Sequence, residues 1–259
     1  MENRKTKRLR KERDTLLAER LPILRKIYKT CVETYPINSI IPNASDVFLN
    51  PIVQSLLIHP PTIKDKDLET LGTFFPNIVL YWRTITEKKL LNMISPGQDI
   101  SASSLLELAT TIFSCRFCHN EALTYPQVLI HRCASHSQGT PTTDEDLPVL
   151  RRFLDCSYWN SNNFLAFDAP KIASLSEAIK LCGLDPKSAT REDMDKLDPI
   201  FECLSCNDVR KGRCTLPWLG VVCIFIFYYY HLIAIGWIMI GFLILDKYDF
   251  IHLLILLSV

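Results

Sequence analysis

The stretch FSCRFCHNEALTYPQVLIHRCASH, residues 113–136, is the part of the sequence that decides the local fold. Cys115 and Cys118 are separated by two residues, a spacing that lets both thiolates face one metal ion. Twelve residues separate Cys118 from His131 and four separate His131 from His136, which matches the ligand spacing of Cys2His2 zinc-binding units. The segment therefore predicts a small unit that is organised by a zinc ion.

The identity of the fourth ligand stays open, because Cys133 and His136 both follow His131 closely. Thiolates and imidazoles together give structural zinc a closed tetrahedral site. Such an ion organises a segment that is too short to build its own core, and Phe113 and Val128 supply apolar residues at suitable positions. The alternative interpretation is a set of reduced, buried cysteines that bind no metal.

The sequence between the ligands is not typical of a zinc finger that reads DNA. Tyr125-Pro126 stands where such fingers carry the polar and basic side chains that reach base edges, so the segment favours protein docking. A basic run near the N-terminus is either a solvated helix face or a contact for nucleic acid or anionic lipid. Its basic residues are Arg4, Lys5, Lys7, Arg8, Arg10, Lys11 and Arg13.

A second pair of cysteines, Cys203 and Cys206, has the same two-residue spacing and provides two further candidate metal ligands. This pair either begins a second zinc-binding unit or completes a site shared with the first. Cys214 and His231 are the candidate partners that follow, and His231 lies in an apolar stretch. Three isolated cysteines are expected to be ordinary small buried side chains: Cys31, Cys156 and Cys182.

The whole chain predicts a mainly α fold: a helical body with a small zinc-finger-like unit and a single C-terminal transmembrane helix. Pro22 predicts a kink or a new helix start, and Phe75-Pro76 predicts the end or bend of a helix. Thr190, three residues before Asp193, predicts a capping box. The predicted boundaries are 1–35 (basic amphipathic helix), 36–112 (helical domain), 113–136 (zinc-finger-like unit), 137–146 (linker), 147–213 (small helical unit with the second cysteine pair), 217–245 (transmembrane helix) and 246–259 (short tail).

The C-terminal stretch is apolar enough to span a bilayer. No Asp, Glu, Lys or Arg lies between Cys214 and Leu245, and a spanning helix needs about 20 apolar residues. Trp218 and Tyr248 lie near its ends, where aromatic residues favour the membrane interface. Basic residues precede the stretch, so the positive-inside tendency predicts a single-pass membrane protein with a cytosolic body. A buried core helix is the alternative.

As a set, the motifs resemble a family from mushroom-forming fungi (basidiomycetes) whose members are often labelled F-box-domain proteins. The resemblance covers roughly residues 1–218, and it implies an adaptor role in ubiquitin ligation. The chain departs from the family in two respects: it has no recognisable F-box, and after Trp218 it turns apolar where the family continues to histidines. The resemblance rests on Trp82-Arg83, on Leu-Ala-Thr-Thr-Ile-Phe-Ser-Cys115-x2-Cys118, on Tyr125-Pro-Gln-Val-Leu-x-His131-x-Cys133, on Cys182-Gly-Leu-Asp-Pro186 and on Phe201-x-Cys203-x2-Cys206.

The same break in the pattern has a second interpretation. Val222-Cys223 is what the common fungal splice-donor hexamer encodes when it is left in frame. The apolar tail is therefore either a genuine membrane anchor or translated intron. A spliced transcript that restores histidines after Trp218 would support the intron.

An enzyme is not expected. The chain has only 8 glycines and shows neither a phosphate-cradling glycine loop nor a nucleophile elbow, so no small-molecule substrate is implied. The sequence predicts a zinc-stabilised protein-interaction module with a structural zinc ion, an unidentified protein partner and a C-terminal membrane anchor. Two alternatives stay open: a nucleic-acid-binding zinc-finger protein, which is less favoured, and a divergent F-box-type ubiquitin-ligase adaptor.

Overall fold

The computed structural model describes residues 4–48, 50–58, 65–97, 104–119, 122–136, 157–203, 210–222 and 253–256, which are mainly helical, as predicted. The predicted linker 137–146 lies outside these residues. The α-helices are α1 (Arg4–Glu33), α2 (Ala44–Phe48), α3 (Pro51–Ile58), α4 (Asp65–Ile94), α5 (Ser104–Glu107), α6 (Ile172–Leu181) and α7 (Arg191–Leu197). The strands are β1 (Phe113–Cys115), β2 (Leu165–Phe167), β3 (Ile200–Cys203), β4 (Thr215–Pro217) and β5 (Leu253–Leu256). The 3-10 helices are η1 (Gln127–Ile130), η2 (Arg132–Ser135), η3 (Ala169–Lys171) and η4 (Trp218–Gly220).

The first helix, α1, continues through Pro22 for 30 residues, so no second helix begins at the proline. Leu17, Leu21 and Leu24 lie before and after Pro22, and all three are almost fully buried. A continuous helix keeps these side chains on one stripe. Their burial contributes about 1.5–3 kcal/mol each, which offsets the hydrogen bond that proline removes.

Pro76 likewise lies inside a continuous helix rather than at a helix end. The sequence predicts a helix end or bend there, but α4 runs without interruption from Asp65 to Ile94, so no helix ends at Pro76. Phe75 and Ile78 lie on either side of Pro76 and belong to the same buried cluster. Because one continuous helix buries both side chains on one face, core packing overrides the local signal of the proline.

The chain divides into two compact units, and the first contains Met1–Leu90 and Pro126–Leu165. Tyr28 of α1 provides an aromatic contact in its core: its ring centroid lies 6.2 Å from that of Phe48 and 6.0 Å from that of Phe75. Both pairs are T-shaped, a geometry that adds about 0.5–1.5 kcal/mol beyond burial. The buried residues of this core include Leu17, Leu21, Leu24, Val47, Phe48, Val53, Leu71, Phe75 and Ile78.

The second unit contains Leu91–Tyr125 and Ala166–Val259. Its three-stranded sheet has the order β4-β3-β5, and both pairs are antiparallel. Phe201 in β3 is opposite Leu216 in β4 and Ile255 in β5, and its side chain is fully buried. The core around Phe201 also includes side chains from α6 and α7: Leu175, Ala178, Ile179 and Met194.

The predicted capping box at the start of α7 is confirmed. Thr190 Oγ1 accepts a hydrogen bond from the backbone N–H of Asp193 at 3.1 Å, and the Asp193 carboxylate accepts one from the backbone N–H of Thr190 at 2.9 Å. The two bonds satisfy amides that the start of a helix otherwise leaves without an intrahelical partner. The helix start is therefore determined by residues only three positions apart.

The apolar C-terminal stretch is described only at its two ends. No helix within the described ranges is both long and apolar enough to cross a membrane. Residues 223–245, most of the predicted transmembrane helix, lie outside those ranges, while residues 217–222 include the end of β4 and η4. Leu253–Leu256 pair with Ile200–Cys203 as β5.

Candidate metal centre

Four of the side chains predicted as metal ligands come together. Each offers one ligand atom, a thiol sulfur or an imidazole nitrogen, and all four atoms lie within 4.8 Å of one another. Among the residues that the structure describes, this is the one such group of His, Cys, Asp or Glu side chains. The group could hold a metal ion, and it consists of Cys115, Cys118, His131 and Cys133.

The separation of the ligand atoms is compatible with a tetrahedral zinc ion. Zn–S bonds of about 2.3 Å and Zn–N bonds of about 2.0–2.1 Å place neighbouring ligand atoms roughly 3.5–3.8 Å apart. The observed separations of up to 4.8 Å are close enough for small side-chain rotations to complete the coordination. Thiolates and imidazole are also ligands that suit zinc rather than magnesium or calcium. The donor set and its spacing therefore both fit zinc.

The first two ligands lie on a knuckle that follows β1. Cys115 is the last residue of this strand. Phe113 exchanges two backbone hydrogen bonds with Leu123, of 2.8 Å and 2.9 Å, and these bring the two ends of the knuckle loop together. His119 directly after Cys118 has a φ of +55°, the left-handed conformation of a tight turn. Since Cys115 is buried and Cys118 is exposed, the group reaches the protein surface.

The other two ligands belong to two consecutive 3-10 helices. His131 lies between η1 and η2 with an extended backbone (φ −60°, ψ 122°), and Cys133 lies in η2. The buried side chains of Val128, Leu129 and Ala134 anchor the two helices. In a Cys2His2 finger the histidines project from one face of an α-helix, whereas this segment forms two short 3-10 helices. The second pair of candidate ligands, His131 and Cys133, is therefore two positions apart, closer than the two histidines of a Cys2His2 finger.

His136 lies outside the group of four. Its side chain is exposed, and its ring centroid lies 6.4 Å from that of Phe164. Its backbone carbonyl accepts a hydrogen bond from Asn162 Nδ2 at 2.6 Å. Of the two candidates for the fourth ligand, the geometry favours Cys133.

Burial lowers the pKa of His131 below the usual value for histidine. The cause is loss of solvation, which penalises the charged imidazolium. The ring is therefore neutral at neutral pH, and a neutral imidazole has the lone pair that binds a metal ion.

Among the described side chains, Cys31, Cys182 and Cys214 lie outside this group. The backbone of Cys203 ends β3 and its side chain lies outside the described part of the structure, while half-buried Cys214 directly precedes β4. Cys31 is buried and Cys182 is half-buried, and burial raises the pKa of both thiols. A raised pKa is typical of unreactive structural cysteines; the predicted burial is confirmed for Cys31, whereas Cys182 is only partly buried. The described residues do not include Cys156 or Cys206.

A hydrogen-bond network beside η2 could not be predicted from the sequence. Asn43 Nδ2 donates to Ser135 Oγ and to Asp46 Oδ2, the second at 2.7 Å. The backbone N–H of Asp46 donates to Asn43 Oδ1 at 2.9 Å, which caps the start of α2. Asp46 Oδ1 accepts from the backbone N–H of Trp159 at 2.9 Å. The pattern Asn43-x-x-Asp46 signals the cap, but no local pattern identifies Ser135 or Trp159 as partners.

Burial raises the pKa of Asp46 to about 6. Loss of solvation penalises the carboxylate, and the Trp159 amide and the Lys89 ammonium oppose this only in part. In the unfolded chain the pKa is about 3.9, so the folded state binds this proton more tightly. The stabilisation that Asp46 contributes is therefore complete below about pH 4 and is lost as the pH rises through 6.

Replacing Asp46 with asparagine should remove this pH dependence. Between about pH 4 and 7, the free energy of unfolding of the wild type should fall by on the order of 3 kcal/mol relative to Asp46→Asn. Urea denaturation across this range measures the difference. Glu177→Gln, on the exposed side of α6, is the control and should retain the wild-type profile. Parallel profiles for the wild type and Asp46→Asn would contradict the assignment.

The four-residue group is the strongest functional feature of the described residues. No family model matches this chain, and no match exists among the curated proteins or the solved structures. The chemistry of this group and its surroundings is consequently the basis for a functional proposal.

Proposed function

We propose that this chain is a zinc-stabilised protein-interaction module. The proposal depends on the convergence of Cys115, Cys118, His131 and Cys133 to within 4.8 Å. Four protein ligands complete a tetrahedral zinc site and leave no position for water or substrate, which is typical of structural rather than catalytic zinc. Zinc in this site would stabilise the knuckle and the two 3-10 helices, and would thereby shape the surface that they present.

The surroundings of the site support a protein partner rather than DNA. Zinc fingers that read DNA place an α-helix in the major groove, whereas η1 and η2 are 3-10 helices of four residues each. Phe117 and Ile130 are 44% and 48% exposed. These exposed apolar side chains, one on the knuckle and one in η1, would be suited to contact another protein surface.

The zinc content of the purified full chain tests the proposal. Plasma mass spectrometry should detect zinc in the wild type, and Cys115→Ser and Cys133→Ser should each lose it because serine provides no thiolate. His136→Ala is the matched control and should retain zinc. A wild type without zinc, or variants that all keep it, would contradict the proposal. Additional zinc that is lost only in Cys203→Ser would extend the proposal to the second cysteine pair.

A nucleic-acid-binding protein is the second candidate, and the surface of α1 is the observation that favours it. Arg4, Lys5, Lys7 and Lys11 are all exposed near its start. Arg8 is also exposed, although its Nε lies 2.9 Å from Glu12 Oε1 in an ion pair. Binding of DNA or RNA that weakens steeply with salt would favour this candidate, whereas co-purifying proteins without such binding would favour the first.

A ubiquitin-ligase adaptor is the third candidate, and its support is the resemblance to fungal proteins labelled as F-box-domain proteins. The test is a pulldown with the full chain as bait, followed by detection of ligase core subunits. Enrichment of these subunits over a bait without the chain would support the adaptor.

The C-terminal membrane anchor is a further part of the proposal. It is supported by the absence of Asp, Glu, Lys and Arg between Cys214 and Leu245. The pairing of Leu253–Leu256 with β3 favours a tail on the same side as the body. Carbonate extraction of the native protein tests the anchor, because an anchored chain stays in the membrane fraction and a chain without an anchor is released. RNA reads that continue through the tail would exclude translated intron.

A further inference from the structure

The first unit contains a cleft of about 590 Å³ beside the two 3-10 helices. One wall is the irregular segment that includes Ile41 and Pro42, and the other includes Leu129 and Ile130 of η1. This volume falls within the range of about 300–1,000 Å³ that is usual for ligand sites. These aliphatic side chains offer a place for an aliphatic group, while the larger part of the lining is polar.

Hydrogen bonds hold both walls in place. Asn43 at the end of the first wall donates to Ser135 Oγ in η2, and this bond connects the two walls directly. Tyr28 Oη donates to the carbonyl oxygen of Pro42 at 2.9 Å, which attaches the first wall to α1. These bonds tie the walls to each other and to α1, so binding would require little ordering of the walls.

Arg132 gives the polar part of the cleft a positive charge. Arg132 and His136 lie along it, and none of the described residues that line it is an Asp or Glu. The guanidinium of Arg132 is exposed and forms no hydrogen bond or ion pair with any residue that the structure describes. A guanidinium favours a bidentate partner such as a carboxylate. The cleft therefore combines aliphatic side chains with a cation that has no counter-charge among the described residues that line it.

We propose that this cleft binds a short peptide segment of a partner protein in which an Asp or Glu adjoins an aliphatic residue. The aliphatic side chain packs between Ile41 and Leu129. The carboxylate accepts hydrogen bonds from Arg132 and His136. The inference rests on the proposed function and adds to it the chemistry of the partner.

The geometry also connects this cleft to the metal centre. The second wall is formed by η1 and η2, and the candidate ligands His131 and Cys133 belong to the same stretch of chain. Zinc bound by these ligands restricts the wall to one conformation. Removing zinc should therefore weaken peptide binding even though the peptide does not contact the ion.

Binding of fluorescein-labelled peptides to the full chain tests the proposal. The probes are an array of short peptides with an acidic residue between two aliphatic residues, each paired with a peptide in which Gln or Asn replaces the acid. Fluorescence anisotropy should show binding of acidic peptides and roughly tenfold weaker binding of their amide counterparts, the loss expected for one charge-assisted contact. Arg132→Glu should weaken binding of the acidic peptides by about the same factor or more.

Arg116→Glu is the matched control, because Arg116 is exposed on the knuckle and does not line the cleft. It should bind the acidic peptides as the wild type does, and both variants should retain zinc. Equal binding of acidic and amide peptides, equal effects of the two variants, or no binding of any acidic peptide by zinc-loaded wild type would overturn the proposal. So would a labelled oligonucleotide that competes for the same Arg132-dependent site. The zinc measurement is independent, so failure of the proposed function is recognised separately as absence of zinc.

Discussion

Removing zinc from the full chain should destabilise residues 113–136 more than any single change elsewhere in the described residues. Zinc contributes about 10–16 kcal/mol to the folding of isolated zinc-finger peptides. The effect here should be smaller, on the order of several kcal/mol, because the buried side chains of Phe113, Val128 and Leu129 also contribute to the packing of this segment. Thermal unfolding with and without a zinc chelator measures the overall loss.

Hydrogen exchange shows where the loss occurs. Phe113 and Leu123 exchange backbone hydrogen bonds at the base of the knuckle, so their amides should lose protection when the chelator is added and regain it with zinc. The chelator should have no further effect on Cys115→Ser, which already lacks a ligand. If protection in the wild type is unchanged by the chelator, the knuckle is held by packing alone and zinc has no structural role there.

Phe113→Ala should produce the second large effect. The Phe113 side chain is fully buried, and its ring meets that of Phe167 edge-on with centroids 5.9 Å apart. Truncating a buried phenylalanine leaves a cavity and costs about 3–5 kcal/mol. Urea denaturation of the zinc-loaded protein measures this loss as a lower midpoint with an unchanged slope.

Phe117→Ala is the matched control, since it makes the same substitution four residues later in the same knuckle. Its side chain is 44% exposed, so the loss should stay below about 1 kcal/mol. Comparing the stability losses of the two variants separates the effect of burial from the effect of removing a phenylalanine ring. Similar losses for both would mean that Phe113 is not the core residue of this segment.

The parts of the protein that the sequence predicts correctly depend on residues close together in the chain. Cys115 and Cys118 are three positions apart, and the geometry of a knuckle follows from that spacing alone. The capping box of Thr190 and Asp193 likewise involves one turn of backbone. In both cases the interacting groups meet as soon as the local conformation forms, so distant residues have little influence.

The helix breaks predicted at the prolines are not observed, for the opposite reason. Pro22 and Pro76 each weaken a helix locally, and the sequence near them contains no signal that outweighs this effect. The compensation comes from side chains that meet only in the folded unit, where Leu24 and Ile78 share one core cluster. Local propensity therefore gave the wrong helix boundary at Pro76.

The amino-acid sequence by itself determined much of the candidate metal-binding group: its donor atoms and the residues Cys115, Cys118 and His131 follow from residue type and spacing. Only the tertiary structure brings Cys133 rather than His136 into that group, because residues 127–135 form two 3-10 helices and not one α-helix. It also decided the cleft and the Asn43 network, whose partners in the chain are far apart. Asn43 is 92 residues from Ser135, and Asp46 is 113 residues from Trp159. Contacts at such separations form only when the core brings the segments together, so no local pattern encodes them.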